Sequence, residues 1–173
     1  VLTVLTVTLL ALTMGTLYGA SALNTAHEHS PTQPQYIDDH DAEAMQWMAA
    51  NTPEDAGFVG AGDAAEWVPV HTDRTILVGP WGVEWKDTDG YYDQVERYKD
   101  LSACEDAACL TEHVEAADVD ADYLYVPKGH YTVRGKEYRQ DPGMRASLAA
   151  SDRYEIRYEN AGVVIVEMSD PAS

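Results

Sequence analysis

Residues 57–82 read GFVGAGDAAEWVPVHTDRTILVGPWG, and their reading decides the fold. The apolar runs at 57–61 and 75–79 have the length of short strands and are bounded by Gly, Asp and Pro. Between them, residues 64–68 begin a helix that Pro69 curtails, and Gly79-Pro-Trp-Gly82 marks a loop. Working outward, residues 91–101 and 106–116 have helical periodicity, 122–126 form a third strand, and 144–150 form a short helix. Upstream, Asp38 or Asp39 caps a helix that carries Ala42, Met45, Met48 and Ala49 on one face and ends before Pro53. Near the C-terminus, residues 154–158 and 163–168 flank the turn Glu159-Asn-Ala-Gly162 and have the period of a β-hairpin. Strands alternating with helices and closed by a hairpin predict a small α/β sandwich, mostly parallel with an antiparallel edge.

The chain has 173 residues, with 11 Lys and Arg against 30 Asp and Glu, for a net charge of −19. A surface of that sign repels phosphate backbones, so nucleic acid is excluded as a partner. Only four lysines and one phenylalanine accompany abundant Asp, Glu, Ala and Val, a composition that predicts a halophilic host. At about 1 M salt the Debye length is roughly 3 Å, which screens carboxylates that would repel one another in dilute buffer. A hydrophobic content of 45%, with eleven Tyr and four Trp, supplies a core and argues against a disordered acidic chain.

No charged residue precedes Glu28. Residues 1–23, VLTVLTVTLLALTMGTLYGASAL, are long enough to span a bilayer as a helix, since about 20 residues cross the hydrocarbon core. The rival reading is a secretory signal, suggested by the small-residue run Ala20-Ser21-Ala22; the missing basic n-region and the length of the apolar run speak against it. With no initiator Met, the chain is expected to be the C-terminal piece of a longer protein. Residues 24–37, with two prolines, read as a tether, and residues 38–169 as the folded domain. The histidines and acids of this stretch, His27 and His29 with Glu28, then Asp38 to Asp41, lack metal-ligand spacing and read as solvated. Because no Lys or Arg follows the apolar run until Arg74, the domain is expected on the outer face of the cell membrane.

Four features could carry chemistry. Gly60-Ala-Gly62-Asp-Ala-Ala65 has the G-x-G-x-x-A form of a dinucleotide-binding turn, but Asp63 and Glu66 would repel a diphosphate, which leaves a tight strand-to-helix turn as the favoured reading. Cys104 and Cys109 are expected to form a local disulfide; two buried thiols are the alternative. Trp81-Gly-Val-Glu84-Trp85, close to Tyr91 and Tyr92, could stack on a sugar and accept its hydroxyls, whereas packing of both tryptophans over the sheet edge is the favoured role. Arg74 is expected to pair with Asp63 or Glu66. No nucleophile motif, metal motif or paired-carboxylate pattern is present, and no cofactor or metal is expected.

The order of Trp47, Asn51-Thr52-Pro53, Asp55-Ala56, Glu66-Trp67-Val68-Pro69 and Arg74 resembles the region after the last membrane helix in archaeal and bacterial membrane glycosyltransferases of the GT-C type, relatives of dolichyl-phosphate-mannose protein mannosyltransferases. Ala121-Asp-Tyr-Leu-Tyr-Val126 and Tyr158-Glu-Asn-Ala-Gly-Val-Val-Ile165 are similar to that family's closing strands. The resemblance implies sugar transfer from a polyprenyl-phosphate donor on the outer membrane face to a glycan or protein acceptor, with membrane lipid alongside. The family's catalytic acid lies in an early loop that this chain lacks, so no residue here inherits a catalytic role. The candidate substrate-binding set is Glu66, Trp67, Arg74, Trp81, Glu84 and Trp85. The alternative is a membrane-anchored, non-catalytic binding or structural domain of the cell envelope.

Overall fold

Asp38 caps the first helix, α1 (Asp39–Asn51), by accepting the amides of His40 and Asp41, while Asp41 accepts the Asp38 amide in return. This reciprocal capping box satisfies donors that a helix start otherwise leaves open. The computed structural model describes Thr13, residues 37–83, Trp85 and residues 88–169. Apart from Thr13 and Ile37, the expected spanning helix and the tether lie outside the described residues, and no helix among those described is long and apolar enough to cross a membrane.

After α1 come β1 (Gly57–Gly60), a 3-10 turn (Asp63–Trp67), α2 (Val68–Thr72) and β2 (Thr75–Val78). Pro69 does not end a helix, as its position suggested. It sits in the first turn of α2, where its missing N–H costs nothing, and residues 63–67 wind as a 3-10 turn before it. Next are α3 (Thr88–Ser102), α4 (Ala107–Ala117), β3 (Tyr123–Pro127), β4 (His130–Val133), β5 (Lys136–Arg139), α5 (Met144–Ala150), β6 (Tyr154–Glu159) and β7 (Val163–Met168).

The main sheet has strand order β2-β1-β3-β7-β6. β1 runs parallel to both β2 and β3, whereas β7 runs antiparallel to both β3 and β6. The sheet is therefore mixed, because the C-terminal hairpin contributes two of its five strands and inserts β7 directly against β3.

In β1, β3 and β7 side chains alternate between the two faces, as the strand period of two requires. Phe58, Tyr123, Tyr125, Val163 and Ile165 meet Ala44, Met45 and Met48 of α1 and Val68 of α2. Val59, Leu124, Val126, Val164 and Val166 meet Tyr98 and Leu101 of α3, Leu110 and Val114 of α4 and Leu148 of α5. The result is three layers, with helices on both faces of the sheet.

A second sheet of only β4 and β5 stands apart from the first. The sequence reading missed it. Its two-residue turn holds Arg134 and Gly135 at φ 54° and 74°, the left-handed pair of a type I′ hairpin, with arginine where Asn or Asp usually sits.

Candidate functional site

The chain runs from β1 to β2 on one side and then returns to lay β3 on the other side of β1. The loops after β1 and β3 therefore leave in opposite directions, and an α/β sheet opens a crevice at such a switch point. Here the crevice is a cleft of about 320 Å³, floored by Ala61 and Gly62 after β1 and by Pro127 and Lys128 at the end of β3. Asp38 and Asp41 from the start of α1 form one wall, and His130, Tyr131 and Thr132 of β4 form the other. A larger hollow of about 770 Å³ lies at the opposite end of β3, lined by Glu115, Asp118, Asp120, Asp122 and Arg153. Its polar groups are nearly all of one sign, and Arg153 is held by Glu115 at 3.1 Å.

The cleft's carboxylates are committed to the fold. Asp38 caps α1, and Asp41 accepts the Asp38 amide with one oxygen and the Tyr125 hydroxyl with the other. Burial raises the Asp41 carboxyl above its usual range, an effect that the Tyr125 bond opposes. Burial, reinforced by the Asp41 charge, pushes the Tyr125 phenol well above its usual range. Tyr131 donates to the Ser102 carbonyl at 2.6 Å, and Lys128 binds Glu159 and the Asn160 carbonyl, each at 2.8 Å. Among the described residues, the His130 imidazole and the Thr132 hydroxyl are the cleft side chains without a hydrogen bond. The cleft thus has groups that can bind a polar ligand but no free pair of acid and base.

Glu159 extends this network, since Arg145 reaches it as well, at 2.9 Å. The bonds from Arg145, and then from Lys128, lower its carboxyl to about 2 from 4.5. A depressed carboxylate contributes stability that is present above its unfolded value and is lost as pH falls through its folded value. Glu159→Gln is therefore expected to lower stability modestly near neutral pH, to match the wild type near pH 2, and so to flatten the acid limb between about pH 5 and pH 2. Urea melts across that range check this.

The Gly60–Asp63 turn is closely packed. A Cβ at Gly60 would fall 2.3 Å from the Ala65 Cβ, and Gly62, at φ 79°, lies against the Tyr131 ring. The buried Asp63 carboxylate accepts the Arg134 amide at 2.7 Å, the Gly135 amide at 2.9 Å and the Tyr98 hydroxyl at 2.8 Å. The β4–β5 turn thus presents two amides to Asp63, where a dinucleotide turn would present amides to phosphate.

The structure separates the residues expected to bind substrate. Arg74 is buried, and its guanidinium pairs with neither Asp63 nor Glu66: it donates to the carbonyls of Ala49, Thr52 and Thr72 and to the Thr52 hydroxyl. It closes the C-terminal end of α1, where a cation is favoured by the helix dipole, and four of its five N–H donors are engaged there. Trp81 packs edge-on against Tyr98, with ring centroids 5.0 Å apart. Trp85 is 86% exposed, so the expectation that both tryptophans cover the sheet edge holds for Trp81 alone. Trp85 follows the loop outward, and its ring meets no core face. Glu66 and Trp67 are half-buried in the 3-10 turn, with Trp67 against the α1 layer. Glu84 lies outside the described residues. Trp81→Ala is expected to cost about 3 kcal/mol, and Trp85→Ala less than about 0.5 kcal/mol. Urea denaturation in concentrated KCl distinguishes the two.

His130, Tyr131 and Thr132, the wall that the sequence reading did not single out, carry one signal that could have found them. His130-Tyr-Thr-Val133 and Lys136-Glu-Tyr-Arg139 flank a two-residue step that ends in glycine, which is hairpin spacing. Cys104 and Cys109, on the other side of the domain, are joined as a disulfide with Cα atoms 5.5 Å apart.

No family model matches the chain, and no curated protein matches it. Among solved structures, the chain is similar to the C-terminal globular domain of an oligosaccharyltransferase from Archaeoglobus fulgidus. That likeness has a TM-score of 0.48 and 11% identity, over 78% of this chain and 100% of the other.

Proposed function

We propose that this chain is a non-catalytic, glycan-binding part of a membrane glycosyltransferase, lying on the outer face of the membrane, and that its ligand site is the cleft between β1 and β3. The observation that carries the proposal is the chemistry of the cleft. It offers one imidazole, one hydroxyl and an aromatic edge at a switch point, while its acids are tied to backbone amides and a buried phenol. Sugars are held by such neutral donors and acceptors beside aromatic carbon, and a site without a free acid and base binds them without cleaving them. The sequence resemblance to GT-C enzymes supports the same class, with a polyprenyl-phosphate donor and a glycan or protein acceptor as the substrates of the whole enzyme.

The test is calorimetric titration of the chain, in about 2–3 M KCl to screen its charge, with a panel of neutral and acidic oligosaccharides. Saturable binding is expected, weakened about fivefold or more by His130→Ala and by Thr132→Val, each removing roughly one hydrogen bond. Both side chains are at the surface of the cleft, so the melting temperature should stay near that of the wild type. Absence of saturable binding across the panel, or wild-type affinity in the double variant, would contradict the proposal.

A further inference from the structure

The Cys104–Cys109 bridge has a third neighbour that neither the fold nor the cleft uses. His113 stands one helical turn after Cys109 on α4, and the donor atoms of Cys104, Cys109 and His113 all lie within 4.8 Å of one another. Cys104 is buried within the α3–α4 connection, while Cys109 and His113 are half-buried, which leaves one open side for an ion to enter. In a trigonal site with metal–sulfur bonds of about 2.3 Å, donor atoms sit roughly 4 Å apart, so the two sulfurs, bonded to each other in the bridge, move apart on reduction to take up that spacing with His113 within reach. Two thiolates and one imidazole form a soft donor set, and with no fourth ligand grouped with them among the described residues they suit a cation content with three ligands.

We propose that Cys104, Cys109 and His113 form a redox-gated site for Cu(I), in which the same two sulfurs serve either the disulfide or the metal. This goes beyond the glycan-binding reading and does not depend on it. Opening the site requires a two-electron reductant. With a water-soluble phosphine, the S–S bond breaks, the phosphine is oxidised to its oxide with oxygen from water, and the two protons of that water appear on the two thiols. Binding then replaces the two thiol protons with one Cu(I), which gains two sulfur bonds and one imidazole nitrogen bond, and two protons are released.

The experiment uses the whole chain, anaerobic and in concentrated KCl, reduced with phosphine, freed of it by gel filtration, and titrated against Cu(I) held by a coloured bicinchoninate chelator. The expected result is removal of one Cu(I) per chain from the chelator, with a new ultraviolet thiolate-to-copper band. His113→Ala should weaken this at least tenfold, and the unreduced protein should take none. Far-UV circular dichroism of the reduced protein checks that it stays folded. The Cys104→Ser/Cys109→Ser variant is a second control, and if it fails to fold the unreduced wild type serves in its place. Equal copper uptake by the oxidised chain, unchanged affinity in His113→Ala, or no uptake by the reduced wild type would overturn the proposal.

Discussion

Replacing Asp63 by Ala is expected to destabilise the domain by about 3–5 kcal/mol, because it strands three donors at once, the buried Tyr98 hydroxyl and the part-buried Arg134 and Gly135 amides. The Arg134 and Gly135 amides and the Tyr98 hydroxyl all point at the Asp63 carboxylate, which is 5% exposed. Asp63→Asn keeps one carbonyl oxygen and nearly the same volume, so it should lose roughly half as much. The loss should extend beyond the overall melting curve. β4 and β5 hydrogen-bond only to each other in their sheet, and Asp63 holds their turn against the main body. Hydrogen exchange in Asp63→Asn should therefore speed up at residues 130–139 before it does in β3 or β7. Protection of the hairpin equal to that of the wild type would show that Asp63 does not anchor it.

Arg74→Met is expected to cost about 3–5 kcal/mol as well, for the opposite reason: it strands acceptors. Met can replace much of the aliphatic stem but none of the donors that reach Ala49, Thr52 and Thr72. Arg74→Lys keeps the charge, but a single ammonium cannot span oxygens that lie around a planar guanidinium, so most of the loss should persist. Raising KCl should not repair either variant, because these bonds are buried away from the ions that screen surface pairs such as Arg145 with Glu159. Denaturation measured at two salt concentrations checks both the size of the loss and its insensitivity to salt.

Much of the layered arrangement was legible in the residues. The alternation in Tyr123-Leu-Tyr-Val126 and Val163-Val-Ile-Val166 is a strand period, and it sends alternate side chains to two different helical layers. The turn at Asn160 was equally readable: its side-chain oxygen accepts the amides of Gly162 and Val163, which is what an asparagine at a turn does. The mixed character of the sheet was harder to see, since the slot that a hairpin takes is set by which strand edge is free and not by its own sequence. The β4–β5 hairpin was hidden because arginine occupies a left-handed position that local propensity assigns to Asn, Asp or Gly, and a buried carboxylate far away in sequence holds it there.

The candidate site was the least legible part. Tryptophans and a basic residue near a Gly-Pro loop look like ligand-binding residues, yet Trp81 packs on Tyr98 and Arg74 closes a helix. Composition marks such residues as chemically capable without saying whether the fold spends that capability on itself. His130 and Thr132 look unremarkable in sequence because their significance comes from strand order. Only when β3 lies beside β1, on the side away from β2, does the segment after β3 face the segment after β1 across a cleft.

The most direct test of that placement is to map amide chemical-shift changes on the isotopically labelled chain while titrating the tightest-binding oligosaccharide in concentrated KCl. The account expects saturating shifts at Gly62, Lys128, His130, Tyr131 and Thr132, with Asp38 and Asp41 following, and little change at Trp81 or Trp85. Shifts that centre on residues 79–92 and leave 128–132 unmoved would contradict it and place the ligand on the tryptophan loop.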